Sequence, residues 1–148
     1  MRTYRSLSAA LAALALALPL SGCPTMGGGT ISKELSSAQF DDIPVPRGFS
    51  IDLAEGRSFS YSEGGSGPSA IRLGRLEYSG LGDPEEALQW YAEELPRSIH
   101  GWETGVPVEG KSAMLFRKGA ERCLVSTRPE GAAVRIVIER NTGGAATE

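Results

Sequence analysis

Residues Gly105 to Ser112 read GVPVEGKS and match G-x-x-x-x-G-K-[ST] at every fixed position. In a phosphate-binding loop, that pattern lets successive amides and a helix N-terminus point at nucleotide phosphates while the lysine reaches the outer ones. The chemistry needs a strand entering the loop and a helix leaving it. Here the following residues, AMLFRKG, alternate like a strand and stop at Gly119, and Pro107 removes one of the amides. In a chain with 19 glycines such a loose pattern arises by accident, so the match is weak. The stretch is read as a hairpin loop with Pro107 and Gly110 as turn residues, and no nucleotide partner is expected.

His100 is the single histidine and lies in RSIHGW, just beyond the clearest helix signal. It is the candidate general base of a small hydrolase or transferase, against a surface or turn histidine with no chemical role. One histidine cannot build a His-rich metal site, and no serine sits in a G-x-S-x-G elbow. No metal and no cofactor is expected, and the favoured reading is not an enzyme. Carboxylate pairs occur at Asp41-Asp42, Glu85-Glu86 and Glu93-Glu94. Neighbours on a helix diverge by about 100°, so neither glutamate pair converges on one point. Glu85 and Glu86 complement the helix dipole, Glu93 and Glu94 form a solvated face, and Asp41-Asp42 ends a tether. The aromatics Trp90, Tyr91 and Trp102 cluster around the helix end. They are core residues, or Trp90 and Trp102 form an exposed platform that binds a partner protein or apolar ligand.

The elements that position these residues follow a leader. The chain opens MRTYRSLSAALAALALALPLSGC, with Arg2 and Arg5 before an apolar run from Ala9 to Leu20. The run is shorter than the roughly 20 residues a membrane-spanning helix needs, and its flanks suit a signal peptide over residues 1–22. Leu20-Ser21-Gly22-Cys23 resembles the lipobox of bacterial lipoproteins at all four positions. The resemblance implies lipid on the Cys23 sulfur, cleavage before Cys23 and acylation of the new amino terminus. Each buried methylene contributes about 0.8 kcal/mol, so two or three acyl chains anchor stably where one does not. The expected location is the periplasmic face of a membrane in the cell envelope. Pro24 rather than Asp after Cys23 leans, by the same resemblance, toward the outer membrane.

Fifteen basic residues against 18 acidic ones give a net charge of −3, and loss of Arg2 and Arg5 with the leader makes the rest more acidic. That balance argues against nucleic acid or anionic headgroups as partners, so membrane attachment rests on lipid. With Cys23 lipidated, Cys123 has no mate, and a hydrophobic core must hold the fold. Cys123 itself reads as a small buried residue on a strand.

Residues 23–42 suit a flexible tether, with Gly27-Gly28-Gly29 at its centre, and residues 141–148 a disordered tail. Between them, residues 43–140 form one domain. Phe49, Ile51 and Leu53 alternate as a short strand, RSFSYS continues strand-like, and Ser62 to Ser69 is a turn-rich connection. In AIRLGRLEYS the apolar phase changes at Gly74, as a bulge would make it. Asp83 as N-cap, Pro84 at the first helical position and Glu86 three after the cap start a helix; Ala87, Leu88, Tyr91 and Leu95 form its stripe and Pro96 ends it. Trp90 falls to the rim of that stripe. GWETGV, SAMLFRK, RCLVSTR and AVRIVIE then read as strands, the last three pairing antiparallel through short turns. The expected fold is α+β, roughly ββαββββ: one antiparallel sheet with one helix on one face.

The domain resembles small Gram-negative envelope lipoproteins of unassigned function. The shared elements here are Val45-Pro46-Arg47-Gly48-Phe49, Gly74-Arg75-Leu76-Glu77-Tyr78-Ser79-Gly80, Trp90-Tyr91, Leu95-Pro96, Gly101-Trp102 and Leu115-Phe116-Arg117-Lys118. They cover most of Val45 to Arg140 and are packing and turn residues. The resemblance therefore implies a fold and transfers no catalytic residue.

Overall fold

A computed structural model describes residues 40–64 and 71–142. The leader, Cys23, most of the tether, part of the Ser62 to Ser69 connection and residues 143–148 lie outside the described residues. Among the described residues, seven strands form one antiparallel sheet with a single helix: β1 (Ser50–Ile51), β2 (Phe59–Glu63), β3 (Ile71–Leu81), α1 (Pro84–Glu94), β4 (Val106–Pro107), β5 (Ala113–Lys118), β6 (Glu121–Glu130) and β7 (Ala133–Thr142). The sheet order is β1-β3-β7-β6-β5-β4, with β2 also pairing β3. The fold is α+β, with three strands rather than two before the helix. The last strand in sequence, β7, lies between β3 and β6, near the middle of the sheet.

The helix starts where its signals place it. The Asp83 side chain accepts from the amides of Glu85 and Glu86 at 2.8 and 3.1 Å, and Pro84 occupies the first turn, where its missing N–H costs nothing. Its buried face is Ala87, Trp90, Tyr91 and Glu94, continued by Leu95. Leu88 is only half-buried. The stripe is thus rotated toward Trp90, because an indole removes more apolar area from water than a leucine in that position would. Glu94 is buried rather than on a solvated face.

Under the helix lie Leu76 and Tyr78 of β3, Val134, Ile136 and Ile138 of β7, and Cys123 and Val125 of β6, all nearly inaccessible. The register brings Leu76 opposite Ile138 and Tyr78 opposite Ile136. No bulge interrupts β3: its pairing is continuous with β7 from Gly74 to Leu81 and with β2 from Ile71 to Arg75. Ile71 and Leu73 simply face the side of the sheet that carries no helix. Gly74 and Gly80 serve close approach instead. A Cβ at Gly80 would lie 2.7 Å from the ring of Phe49, and one at Gly74 would lie 2.6 Å from the Phe59 carbonyl oxygen.

The folded unit begins before residue 43. Phe40 is buried in the core, and Asp42 is bound at three points, so residues 40–42 belong to the domain and not to the tether. At the other end β7 runs on to Thr142. GVPVEGKS forms a hairpin, with Val106 opposite Leu115 and Pro107 opposite Met114, and strand β5 follows it rather than a helix. Pro107 is itself in edge strand β4, where no amide is needed for the ladder, and Gly110 takes the turn with φ +71°.

Candidate functional site

Sequence reasoning placed the candidate site at Trp90 and Trp102, and the structure buries both. Their side chains are 8% and 3% exposed. Trp90 packs edge-on against Tyr91 with ring centroids 4.9 Å apart. The Trp102 indole N–H donates to the Asp42 carbonyl at 2.9 Å. An exposed platform made of these two rings is therefore not formed. Trp90 and Tyr91 of the helix pack over the sheet, and Trp102 lies in the same core beside Arg140.

His100 is buried as well, and not on the surface. Its Nε2 stands 3.4 Å from Glu94 Oε1, and Glu94 also receives Arg97 at 2.9 Å. Among the described residues Glu94 is the only hydrogen-bonding partner of the ring. Among the described residues no serine or cysteine hydrogen-bonds to the ring, and the residue is 5% exposed. The cluster ties the helix exit to the turn that follows. Among the described residues no three His, Cys, Asp or Glu converge as metal ligands. Burial pushes the Cys123 thiol up to about 12 against the opposing pull of Arg140, which suits a core residue and not a nucleophile.

Two charge centres organise the two faces of the sheet. On the helix side, at the end of β7, Arg140 is 3% exposed. Its guanidinium binds Asp42 at 2.6 and 3.1 Å, pairs with Glu121, and lies 5.3 and 5.4 Å from the rings of Phe40 and Trp102. Lys118 adds a 2.6 Å bond to Asp42 and a 2.8 Å bond to the His100 carbonyl. Burial raises the Asp42 carboxyl, but the hydrogen bonds from Lys118 and Arg140 outweigh it and hold the group below the usual carboxylate range.

On the helix-free side the centre is Glu77, only 4% exposed. Arg75 and Arg135 each meet its carboxylate at 2.8 Å, with Arg57 at 3.6 Å and Arg128 at 3.8 Å. Arg135 reaches on to Asp52 and Glu130, and Arg75 pairs with Glu139. Burial pushes the Glu77 carboxyl up, and the Arg75 and Arg135 hydrogen bonds bring it below its ordinary value. This network is a stable floor whose charges are mutually satisfied.

Beside that floor the helix-free face also carries apolar side chains. One row of side chains crosses six strands in register: Val106, Leu115, Leu124, Glu139, Arg75 and Phe59. Tyr61 and Leu73 stand opposite each other in the neighbouring row. Seven large hydrophobic side chains are exposed among the described residues, and Phe59, Tyr61, Ile71 and Val106 all belong to this face. A cavity of about 470 Å³ opens here, bounded by Phe59, Leu73, Leu115, Leu124, Arg75 and Arg122 among others.

The sequence held a signal for this face that was not read. FRKGAERC folds about the two-residue turn Gly119-Ala120, so Arg117 must oppose Arg122 and Phe116 must oppose Cys123. Since Cys123 is in the core, the arginines had to face away from it. Among the described residues no helix is long and apolar enough to cross a membrane. Neither a protein-family model, nor a curated protein, nor a solved structure matches this chain.

Proposed function

We propose that this chain is a lipid-anchored protein of the cell envelope whose domain is a non-enzymatic binding module, and that it binds through the helix-free face of its sheet. One observation carries the reading: four of the seven exposed large hydrophobics among the described residues belong to this face, and one of them, Phe59, lines its cavity. Exposed apolar side chains gathered on one sheet face beside a cavity suit recognition, because leaving them in water costs free energy. The anchor is supported by Leu20-Ser21-Gly22-Cys23 and the leader before it. The periplasmic side, with a lean to the outer membrane from Pro24, follows from the same residues.

Two measurements test this. A photoreactive residue is placed in intact cells at Val106, and separately at Gln89 on the outer face of the helix. Adducts at Val106 and none at Gln89 support the face; equal adducts, or none at Val106, overturn it. Cys23→Ala tests the anchor. A variant that still fractionates with membranes, from a parent protein without lipid mass, refutes it.

A further inference from the structure

Arg117 and Arg122 are Cα partners across β5 and β6, one step along from the Leu115–Leu124 pair. Both are exposed, and among the described residues neither side chain has an ion pair or hydrogen bond. Like charges directly opposite in an antiparallel pair destabilise it, so folding gives no reason for this arrangement. The contrast with the rest of the face is sharp. Arg57, Arg75, Arg128 and Arg135 are all matched by Asp52, Glu77, Glu130 and Glu139. Two positive charges are left over, in a chain whose net charge is −3. The whole-chain charge therefore hides a local excess of the opposite sign.

We infer that Arg117 and Arg122 together bind the phosphate monoester head of a single-chain amphiphile, whose alkyl chain lies over Leu115, Leu124 and Val106. This deepens the binding-face reading above and rests on it. A phosphate monoester carries close to two negative charges near neutral pH, which two guanidinium groups neutralise with forked hydrogen bonds. Positions two residues apart on one strand face are about 6.6 Å apart, so the head at Arg117 and Arg122 leaves the first methylenes over the leucine pair. Arg122, Leu115 and Leu124 line the cavity of about 470 Å³, with Arg117 and Val106 outside its lining, and that volume falls within the usual range of small-molecule sites, roughly 300–1,000 Å³. An acidic peptide added as an extra strand fits less well. The outer edge of β5 is taken by β4 and by the Glu103 amide, which donates to the Arg117 carbonyl at 2.7 Å.

The test uses the full chain in an uncharged detergent and a diazirine-bearing decyl phosphate, with labelled positions mapped by peptide mass spectrometry. Labelling is expected at Val106, Leu115 or Leu124. A charge-assisted hydrogen bond contributes about 1.5–3 kcal/mol, so R117E/R122E is expected to lose labelling by about tenfold or more. The equivalent uncharged alkanol should label at least about tenfold less than the phosphate, and R117K/R122K should keep most of the signal. Should R117E/R122E fail to fold by thermal melting, R117Q/R122Q removes the same charges and replaces it. Equal labelling by the alkanol, by the corresponding carboxylate or in the charge-reversed variant overturns the phosphate assignment, as does label confined to other parts of the chain. If Val106 captures a protein in cells and the decyl phosphate does not label, the amphiphile is refuted and the face survives. If both fail, the face falls as well.

Discussion

The Asp42 carboxylate and the Arg140 guanidinium, 98 residues apart in sequence, pair at 2.6 and 3.1 Å and close one end of the core. Asp42→Asn leaves Arg140 with Glu121 as its one carboxylate and Lys118 with the His100 carbonyl. Hydrogen bonds to charged groups contribute about 1.5–3 kcal/mol each, and a cost of about 2–3 kcal/mol in chemical denaturation is expected. The sign with pH follows from the direction of the shift. A carboxyl held below its unfolded value, about 3.9, stabilises fully above that pH and loses the contribution as pH falls through the folded value. Wild-type stability should therefore drop below about pH 4, and the drop should be shallower in Asp42→Asn. An equally steep acid limb in the variant would remove Asp42 from the account.

Arg117→Glu turns a like-charge pair into an opposite-charge pair. The fold is expected to gain about 0.2–1 kcal/mol, read as a small rise in thermal midpoint that shrinks in high salt. A site kept for binding is one where stability is given up for function, so the same variant should bind less well. A loss of stability would mean that the arginines support the fold in a way the structure does not show.

Gly80→Ala places a methyl group 2.7 Å from the buried Phe49 ring. Overpacking of this kind costs about 1–3 kcal/mol. The double change with Phe49→Leu should recover part of it, because the clash is with that ring. Additive losses in the double-mutant cycle would place the cost elsewhere.

Cys123 is inaccessible, and burial pushes its thiol up to about 12. At about pH 8 the peptide containing it should resist iodoacetamide in the native protein and react in concentrated guanidinium. Rapid native labelling would mean that the core opens far more easily than its packing implies.

The parts of this fold that were legible in the sequence are the ones set by local chemistry. Asp83 and Pro84 dictate a helix start whatever surrounds them. The turns at Gly119 and Gly131 fix β5, β6 and β7 as neighbours, and the GVPVEGKS hairpin follows from the alternation after Ser112. What stayed hidden depends on distant partners. Trp90 sits off the helix stripe by angle and enters the core only because the sheet is wide. Trp102 and Phe40 pack against Arg140, and no local pattern marks residues whose contact lies 38 and 100 positions away. His100 looks exposed because it follows a helix, and it is buried because Glu94, expected in solvent, turns inward beneath it. The character of the helix-free face was missed for a related reason. Its arginines read as ordinary solvated charge until the register shows which ones have a counter-ion.

The position of β7 has a consequence for how this molecule is made. The last ten-residue strand supplies the middle of the sheet, with Gly74 pairing Arg140 on one side and Cys123 pairing the same residue on the other. Without β7 the strands β1-β3 on one side and β6-β5-β4 on the other share no partner, so long-range pairing must come before the two parts of the sheet join. The sheet is therefore completed late, by pairings that reach from Gly74 to Arg140 across most of the domain.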